Sequence, residues 1–250
     1  MSFDLQVNGY GGVDFNSNAL TSASLESACL QLQQDGVSGC LLTLITDDTG
    51  ALESRLKRLV SLRESSELVR QMIVGFHIEG PFINETTGFR GTHPLEHIVP
   101  AKIDAAKSLL EAGNGLVRLV TLAPERDPGF ATTRFLSENG VRIAAGHCDA
   151  SLEELRGAID AGLSLFTHLG NGCPLSLDRH DNIIQRALSL RDELWLCFIA
   201  DGVHVPFFAL KNYMDAAGLE RCIIVTDAIA PAGLGPGRFS LGQIELEIGA

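Results

Sequence analysis

Glu79, His147, His168 and Asp227 each stand where an apolar, strand-like run gives way to polar residues, and all four carry side chains that ligate a metal or move a proton. Neutral imidazoles and carboxylates are the usual protein ligands of zinc and similar divalent ions, and a catalytic centre keeps about three protein ligands with one position open to water. Glu79 in IEGPF, His147 in GHCD and His168 in FTHL would make a His2Glu set. Taken singly, a strand histidine is more often a satisfied core residue. Three ligand-type residues at three strand ends point instead to a metal. Asp227, in IIVTDA, is either a turn or cap aspartate or, beside a metal, the general base that accepts a proton from the attacking water and passes it to the leaving group.

Other polar residues surround this set in sequence. His77 lies two residues before Glu79 and so points to the same side of its strand; it either orients a ligand or is packed polar filler. His93 in GTHP and His204 in DGVHV fall in loops after strands, where substrate-binding groups sit and where surface histidines are also common. Arg179, in LSLDRHDN, could hold a phosphate or carboxylate in a forked pair, or pair with Asp178 or Asp181 at the surface. His97 and His180 have no comparable placement.

To bring such residues to one end, strands and helices must alternate. Strand signals occur at residues 4–8, 39–47, 72–82, 116–125, 141–149, 163–171, 194–205 and 222–228, with helical spacing at 22–34, 51–64, 103–113, 130–140, 151–162, 182–192 and 206–218. Ser151 followed by Glu154 is a capping-box pattern. Eight near-continuous apolar strands separated by helices predict a parallel sheet closed into a (β/α)8 TIM-type barrel, whose strand ends carry catalysis. An open doubly wound sheet is the competitor, weakened because no GxGxxG follows a strand. PAGLGPG (231–237) reads as a loop, and GRFSLGQIELEIGA as two short strands.

At 250 residues, one large α/β domain over 1–250 is the economical organisation. A net charge of −12 without a Lys/Arg cluster argues against a nucleic-acid partner, although one arginine can still capture a phosphate. The six cysteines show no CxxC pair and read as small buried residues in a reducing compartment. No apolar run reaches the ~18 residues of a membrane span, and the first residues lack a signal pattern, so a cytoplasmic protein without a membrane partner is expected.

With GFHIEGPF, GTHP, GHCDAS, THLGN, DGVHV and IIVTDA in this order, the chain resembles the N-acetylglucosamine-6-phosphate deacetylases of the amidohydrolase superfamily, over residues 4–242. The resemblance implies that Glu79, His147 and His168 ligate one divalent metal per subunit and that Asp227 is the general acid/base. It implies that His93 polarises the reacting amide, that His204 holds the sugar, and that Asn171 and Gly172 offer backbone groups near the phosphate. Arg179, eleven residues after His168, has the family's spacing for a phosphate-binding arginine that can reach a neighbouring subunit, which implies a homodimer. The implied reaction is hydrolysis of the acetamide of N-acetylglucosamine 6-phosphate to glucosamine 6-phosphate and acetate. An amidohydrolase for another N-acylated sugar or amino acid, and a non-catalytic metal or sugar-phosphate binding barrel, are the alternatives. Gln6-Val7-Asn8 stands where many amidohydrolases carry His-x-His, so one principal metal is expected; Gln6 and Asn8 line the pocket or assist a second ion weakly. Zinc is the leading ion, with iron, manganese and cobalt compatible with the same ligands. The family's accessory β-sandwich is expected to be absent or incomplete, residues 238–250 being a remnant of it. THLGNGC stands for the family's THxxNAM, with Gly170, Gly172 and Cys173 as the departures, and DRHDN lacks the usual Arg-Glu-Pro context.

Overall fold

Apolar runs bounded by glycines and capping residues fold as the alternation predicts. The computed structural model describes residues 2–241 and 244–248. Its main sheet holds β1 (Ser2–Val7), β2 (Val37–Ile45), β3 (Ile73–Glu79), β4 (Val117–Leu122), β5 (Arg142–Ala145), β6 (Leu163–Phe166), β7 (Trp195–Ile199) and β8 (Cys222–Val225), neighbours in the sheet in chain order. The pairs β1–β2, β4–β5, β5–β6, β6–β7 and β7–β8 are parallel. A parallel bridge between Val7 and Ala228 ties the end of β1 to the chain just past β8. A doubly wound sheet reverses its strand order at a switch point; this order never reverses, so the fold is of the (β/α)8 barrel class.

Helices fill every interval: α1 (Ser22–Gln34), α2 (Thr49–Glu64) and α3 (Glu67–Met72), α4 (Ile103–Ala112), α5 (Ala131–Glu138), α6 (Leu152–Asp160), α7 (Ile183–Ser189) and α8 (Phe207–Ala217). Their starts are chemically marked. The Ser151 hydroxyl accepts from the Glu154 amide while the Glu154 carboxylate accepts from the Ser151 amide, the reciprocal cap its spacing predicts. Asp48 and Asn182 cap α2 and α7 one-sidedly, their side-chain oxygens accepting from first-turn amides. The short α3 was not foreseen, nor was the small antiparallel pair Gly9–Tyr10 with Val13–Asp14. Beyond β8, β9 (Gly237–Leu241) and β10 (Ile244–Ile248) pair antiparallel, as the two short strands expected there. Gly242, Gln243, Gly249 and Ala250 of that stretch lie outside the described residues.

The chain groups into two units. One comprises Met1–Ile78, Ser108–Arg118 and Thr226–Ala250, with Val7, Leu42, Leu44, Leu52 and Phe76 buried at its core. The other comprises Glu79–Lys107 and Leu119–Val225, around Phe82, Leu122, Ile143, Leu155 and Phe198. Strand residues buried on both faces, as along Gly39–Ile45 of β2, are those of a sheet covered on each side. Cys29, Cys40, Cys148 and Cys197 are buried within these cores, as their scattered placement predicts.

Candidate metal centre and active site

Glu79 is the last residue of β3, whereas His147, His168 and Asp227 each stand two residues beyond β5, β6 and β8. Those three share a backbone state: their φ angles are 48°, 29° and 52°. Left-handed backbone is costly for a residue with a Cβ, and persists where surrounding structure over-determines it, often at functional sites. Here it turns the chain sharply at the strand end and fixes the direction in which each side chain leaves.

Glu79, His147 and His168 come together in the second unit. Oε1 of Glu79 lies 2.8 Å from Nε2 of His168 and 3.3 Å from Nε2 of His147. The three ligand atoms fall within 4.8 Å of one another, and all three residues are buried. Two atoms bound tetrahedrally to one ion at ~2.0–2.1 Å would be separated by about 3.3 Å. The donor set therefore fits a divalent cation. Nδ1 of His147 donates to the carbonyl of Phe89 at 2.8 Å, which leaves its Nε2 lone pair for a ligand, the arrangement metal-bound histidines adopt. Burial alone would raise the Glu79 pKa, but hydrogen bonds and charge from the two imidazoles outweigh it and hold the carboxyl well below the usual range.

His93 belongs to the same cluster and is not the surface histidine its loop position allowed. It is buried, with its ring centroid 4.5 Å from that of His147. Desolvation, reinforced by the neighbouring His147, lowers its pKa to about 3, so the ring is neutral and able to donate a hydrogen bond. Gly172 also packs here. A Cβ at this position, where φ is +51°, would stand 3.1 Å from Nδ1 of His147 and 3.3 Å from Cε1 of His168, so the departure from the family motif at this residue is a close backbone approach to both histidines. Asn171 donates its amide to the carbonyl of His168 at 2.9 Å, closing the turn that carries both.

One connection here has no clear sequence signature. The Asn84 amide donates to the His147 carbonyl at 2.9 Å, and its side chain donates to Glu125, which also accepts from the Asp149 amide. The loops after β3 and β5 are thereby laced together. His204 is exposed and its Nδ1 lies 2.6 Å from Asp201, which also accepts from the amides of Val203 and His204. Burial opposes ionisation of Asp201, but these bonds prevail and lower its pKa. An aspartate three residues before a histidine was the available signal.

Arg179 is exposed on the loop after β6, and neither pairing left open for it forms. Asp178 accepts from the amides of His180 and Asp181, while the Asp181 carboxylate pairs with Arg186 at 2.6 Å. Asp227 lies in the first unit, where the Asn8 side-chain amide donates to its Oδ1 at 2.7 Å. His77 is fully buried in that unit, with Nδ1 3.2 Å from the carbonyl of Leu5 and 3.4 Å from the Thr43 hydroxyl.

A (β/α)8 succession whose strand ends carry the buried Glu79–His147–His168 group defines the class: a (β/α)8-type fold with a group that could hold a divalent ion. No protein-family model matches the chain. The chain is 31% identical over 241 residues to the N-acetylglucosamine-6-phosphate deacetylase of Bacillus subtilis (strain 168), which covers 96% of this chain and 60% of the relative. It is 35% identical to the N-acetylgalactosamine-6-phosphate deacetylase of Shewanella sp. (strain ANA-3), over 92% of this chain and 56% of the relative. Among solved structures, the N-acetyl-D-glucosamine-6-phosphate deacetylase of Mycobacterium smegmatis, in a variant bound to N-acetyl-D-glucosamine-6-phosphate, superposes with a TM-score of 0.89 at 30% identity, over 99% of this chain and 62% of that one. By sequence and by fold the chain is similar to N-acetylglucosamine-6-phosphate deacetylases over nearly its whole length, and it spans about 60% of the length of the curated relatives it matches.

Proposed function

We propose that the protein hydrolyses the acetamide of N-acetylglucosamine 6-phosphate, releasing acetate and glucosamine 6-phosphate. The buried Glu79–His147–His168 group in a chain whose relatives are amino-sugar-phosphate deacetylases carries this reading. Those three residues would hold one divalent ion, zinc foremost. When bound, the ion would acidify water and polarise the amide carbonyl. Asp227, as general base, takes the proton of the attacking water and returns it to the departing nitrogen. The Asn8 side-chain amide donates to Oδ1 of Asp227 and orients the carboxylate. Neutral His93 donates to the carbonyl oxygen as negative charge develops on it. His204, oriented by Asp201, holds the sugar; Asn171 and Gly172 offer backbone groups near the phosphate.

Arg179 takes the phosphate, and in a homodimer it serves the site of the neighbouring subunit. Its exposure supports this role, as do the exposed Leu175 and Val203 on the loops after β6 and β7 and the exposed Phe207 and Phe208 at the start of α8. Residues 1–250 act as a single hydrolase domain in this reading, with β9 and β10 the remnant of an accessory sandwich. No described helix is long and apolar enough to cross a membrane; the cytoplasm is the proposed compartment. N-Acetylgalactosamine 6-phosphate is the second reading, favoured by the 35% identity to a deacetylase of that sugar.

Acetate release from N-acetylglucosamine and from both N-acetylhexosamine 6-phosphates, with and without chelator, tests the assignment. Chelator-sensitive release from a phosphorylated sugar is expected, and Asp227→Asn should lower it by about 10²–10⁴-fold with metal content unchanged. Stoichiometric metal with no acetate from any of the three would leave only a binding function, and wild-type turnover in Asp227→Asn would remove the base.

A further inference from the structure

The residues on either side of Asp227 are held from β1 by a buried carboxylate that the reaction does not touch. Asp4 is 5% exposed. Its Oδ2 accepts the Thr226 hydroxyl at 2.6 Å and the Thr226 amide at 3.2 Å, and its Oδ1 accepts the Gln6 amide at 3.0 Å. The same Thr226 hydroxyl oxygen accepts from the amide of Ala228 at 3.1 Å, so one side chain spans Asp227 from its predecessor to its successor. The Ala228 carbonyl in turn accepts from the amides of Asn8 at 2.7 Å and Gly9 at 3.1 Å. Between these two anchors sits Asp227 at φ 52°, with Oδ1 fixed by Asn8.

Removing a carboxylate from water is costly unless donors satisfy it. Here Thr226, the residue just before Asp227, supplies both a hydroxyl and an amide donor, and Gln6 supplies an amide. An apolar pair would fill the space at less cost, so the arrangement reads as directional, not as core filling. Proton transfer needs the base within hydrogen-bond reach of the proton, and a displacement of about 1 Å can cost about 10²-fold in rate.

We propose that Asp4 is a positioning residue that acts through Thr226 to hold Asp227 in its left-handed conformation and aim its carboxylate. The proposal rests on Asp227 being the general base. Asp4 touches neither substrate nor metal in this scheme; it fixes the backbone that aims the residue that does.

The test uses the metal-loaded full chain with N-acetylglucosamine 6-phosphate and reads kcat, KM and bound metal together. Thr226 is exposed, so Thr226→Val removes the hydroxyl without opening the core. It should lower kcat by about 10–100-fold at unchanged KM and metal content, and Thr226→Ser should restore kcat to within about threefold of the wild type. Asp4→Asn should show the same split, and the double variant Asp4→Asn/Thr226→Val should be no slower than the slower single variant, because the two act as one unit. A merely structural role would lower thermal stability without this separation of kcat from KM and without rescue by serine. Wild-type kcat in Thr226→Val, parallel loss of metal, or additive effects in the double variant would overturn the proposal while Asp227→Asn remains inactive. Full turnover in Asp227→Asn, or no turnover in the wild type, would instead overturn the reading beneath it, and the proposal with it.

Discussion

Replacing Asp227 or His147 by glycine should leave a more stable protein than replacing the same residue by alanine, the reverse of the usual order. Both variants lose the same side chain, so the lost hydrogen bonds and ligand cancel in the comparison, and the difference isolates the backbone. At φ 52° and 48° the Cβ of alanine retains the left-handed penalty of about 1–2 kcal/mol, which glycine escapes. Against this, glycine adds freedom to the unfolded chain worth about 0.4–1 kcal/mol. The net is about 0–1.6 kcal/mol in favour of glycine, centred on about 0.8 kcal/mol, or roughly 2–3 °C in Tm for a chain of this size. At buried His147 the alanine methyl recovers part of that, so half-buried Asp227 should show the larger difference. Thermal and urea unfolding of chelator-treated protein would measure it. Val74, 41% exposed within β3, provides the control: there alanine should be the more stable by about 0.5–1 kcal/mol, since glycine in a strand loses more entropy on folding. If alanine matches or exceeds glycine at Asp227 and His147 as it does at Val74, these strand ends store no backbone strain.

Burial holds the Asp4 carboxyl above its ordinary value of 3.8, although Thr226 and the backbone amides of Gln6 and Thr226 hydrogen-bond it; the nearby Cys40 thiol is itself kept neutral by burial. The stability contributed by protonating Asp4 is therefore fully present below pH 3.8 and is lost as pH rises through the higher folded pKa. Asp4→Asn cannot titrate, so its stability relative to the wild type should rise with pH across this range in urea unfolding; a difference independent of pH would contradict the assignment. Arg179→Ala should raise KM for N-acetylglucosamine 6-phosphate by about 10–100-fold, the loss of one charged hydrogen-bonding partner worth about 1.5–3 kcal/mol, and leave turnover of the unphosphorylated sugar unchanged. An unaltered KM for the phosphorylated sugar would release Arg179 from phosphate binding.

What could be read in the sequence was whatever local chemistry specifies. Ser151 and Glu154 mark the start of α6 because both capping bonds close within four residues, and Gly39–Ile45 declares itself a buried strand because every residue in it is apolar, small or readily buried. The ligand-type residues were legible at strand ends, since neither an imidazole nor a carboxylate has a packing reason to recur there. Their backbone state was not. A glycine announces a positive φ, whereas histidine and aspartate adopt one only occasionally, so the identity of His147, His168 and Asp227 alone did not signal it. The groups that aim them were hidden for a second reason. The Phe89 carbonyl that selects the His147 tautomer is a backbone atom 58 residues away, and every residue has such an atom. Asp4 and Thr226 lie 222 residues apart and meet because the first strand and the chain beyond the last come together within one unit. Asp201 is the instructive contrast: its bond to His204 spans three residues, the scale on which sequence spacing is informative, and Asp-x-x-His would have shown that this loop histidine is held by a partner. Legibility thus followed the length of chain that an interaction closes. In a (β/α)8 fold the catalytic residue types are local to each strand end, while the contacts that aim them close over most of the chain, so chemistry can be inferred from such a sequence well before geometry can.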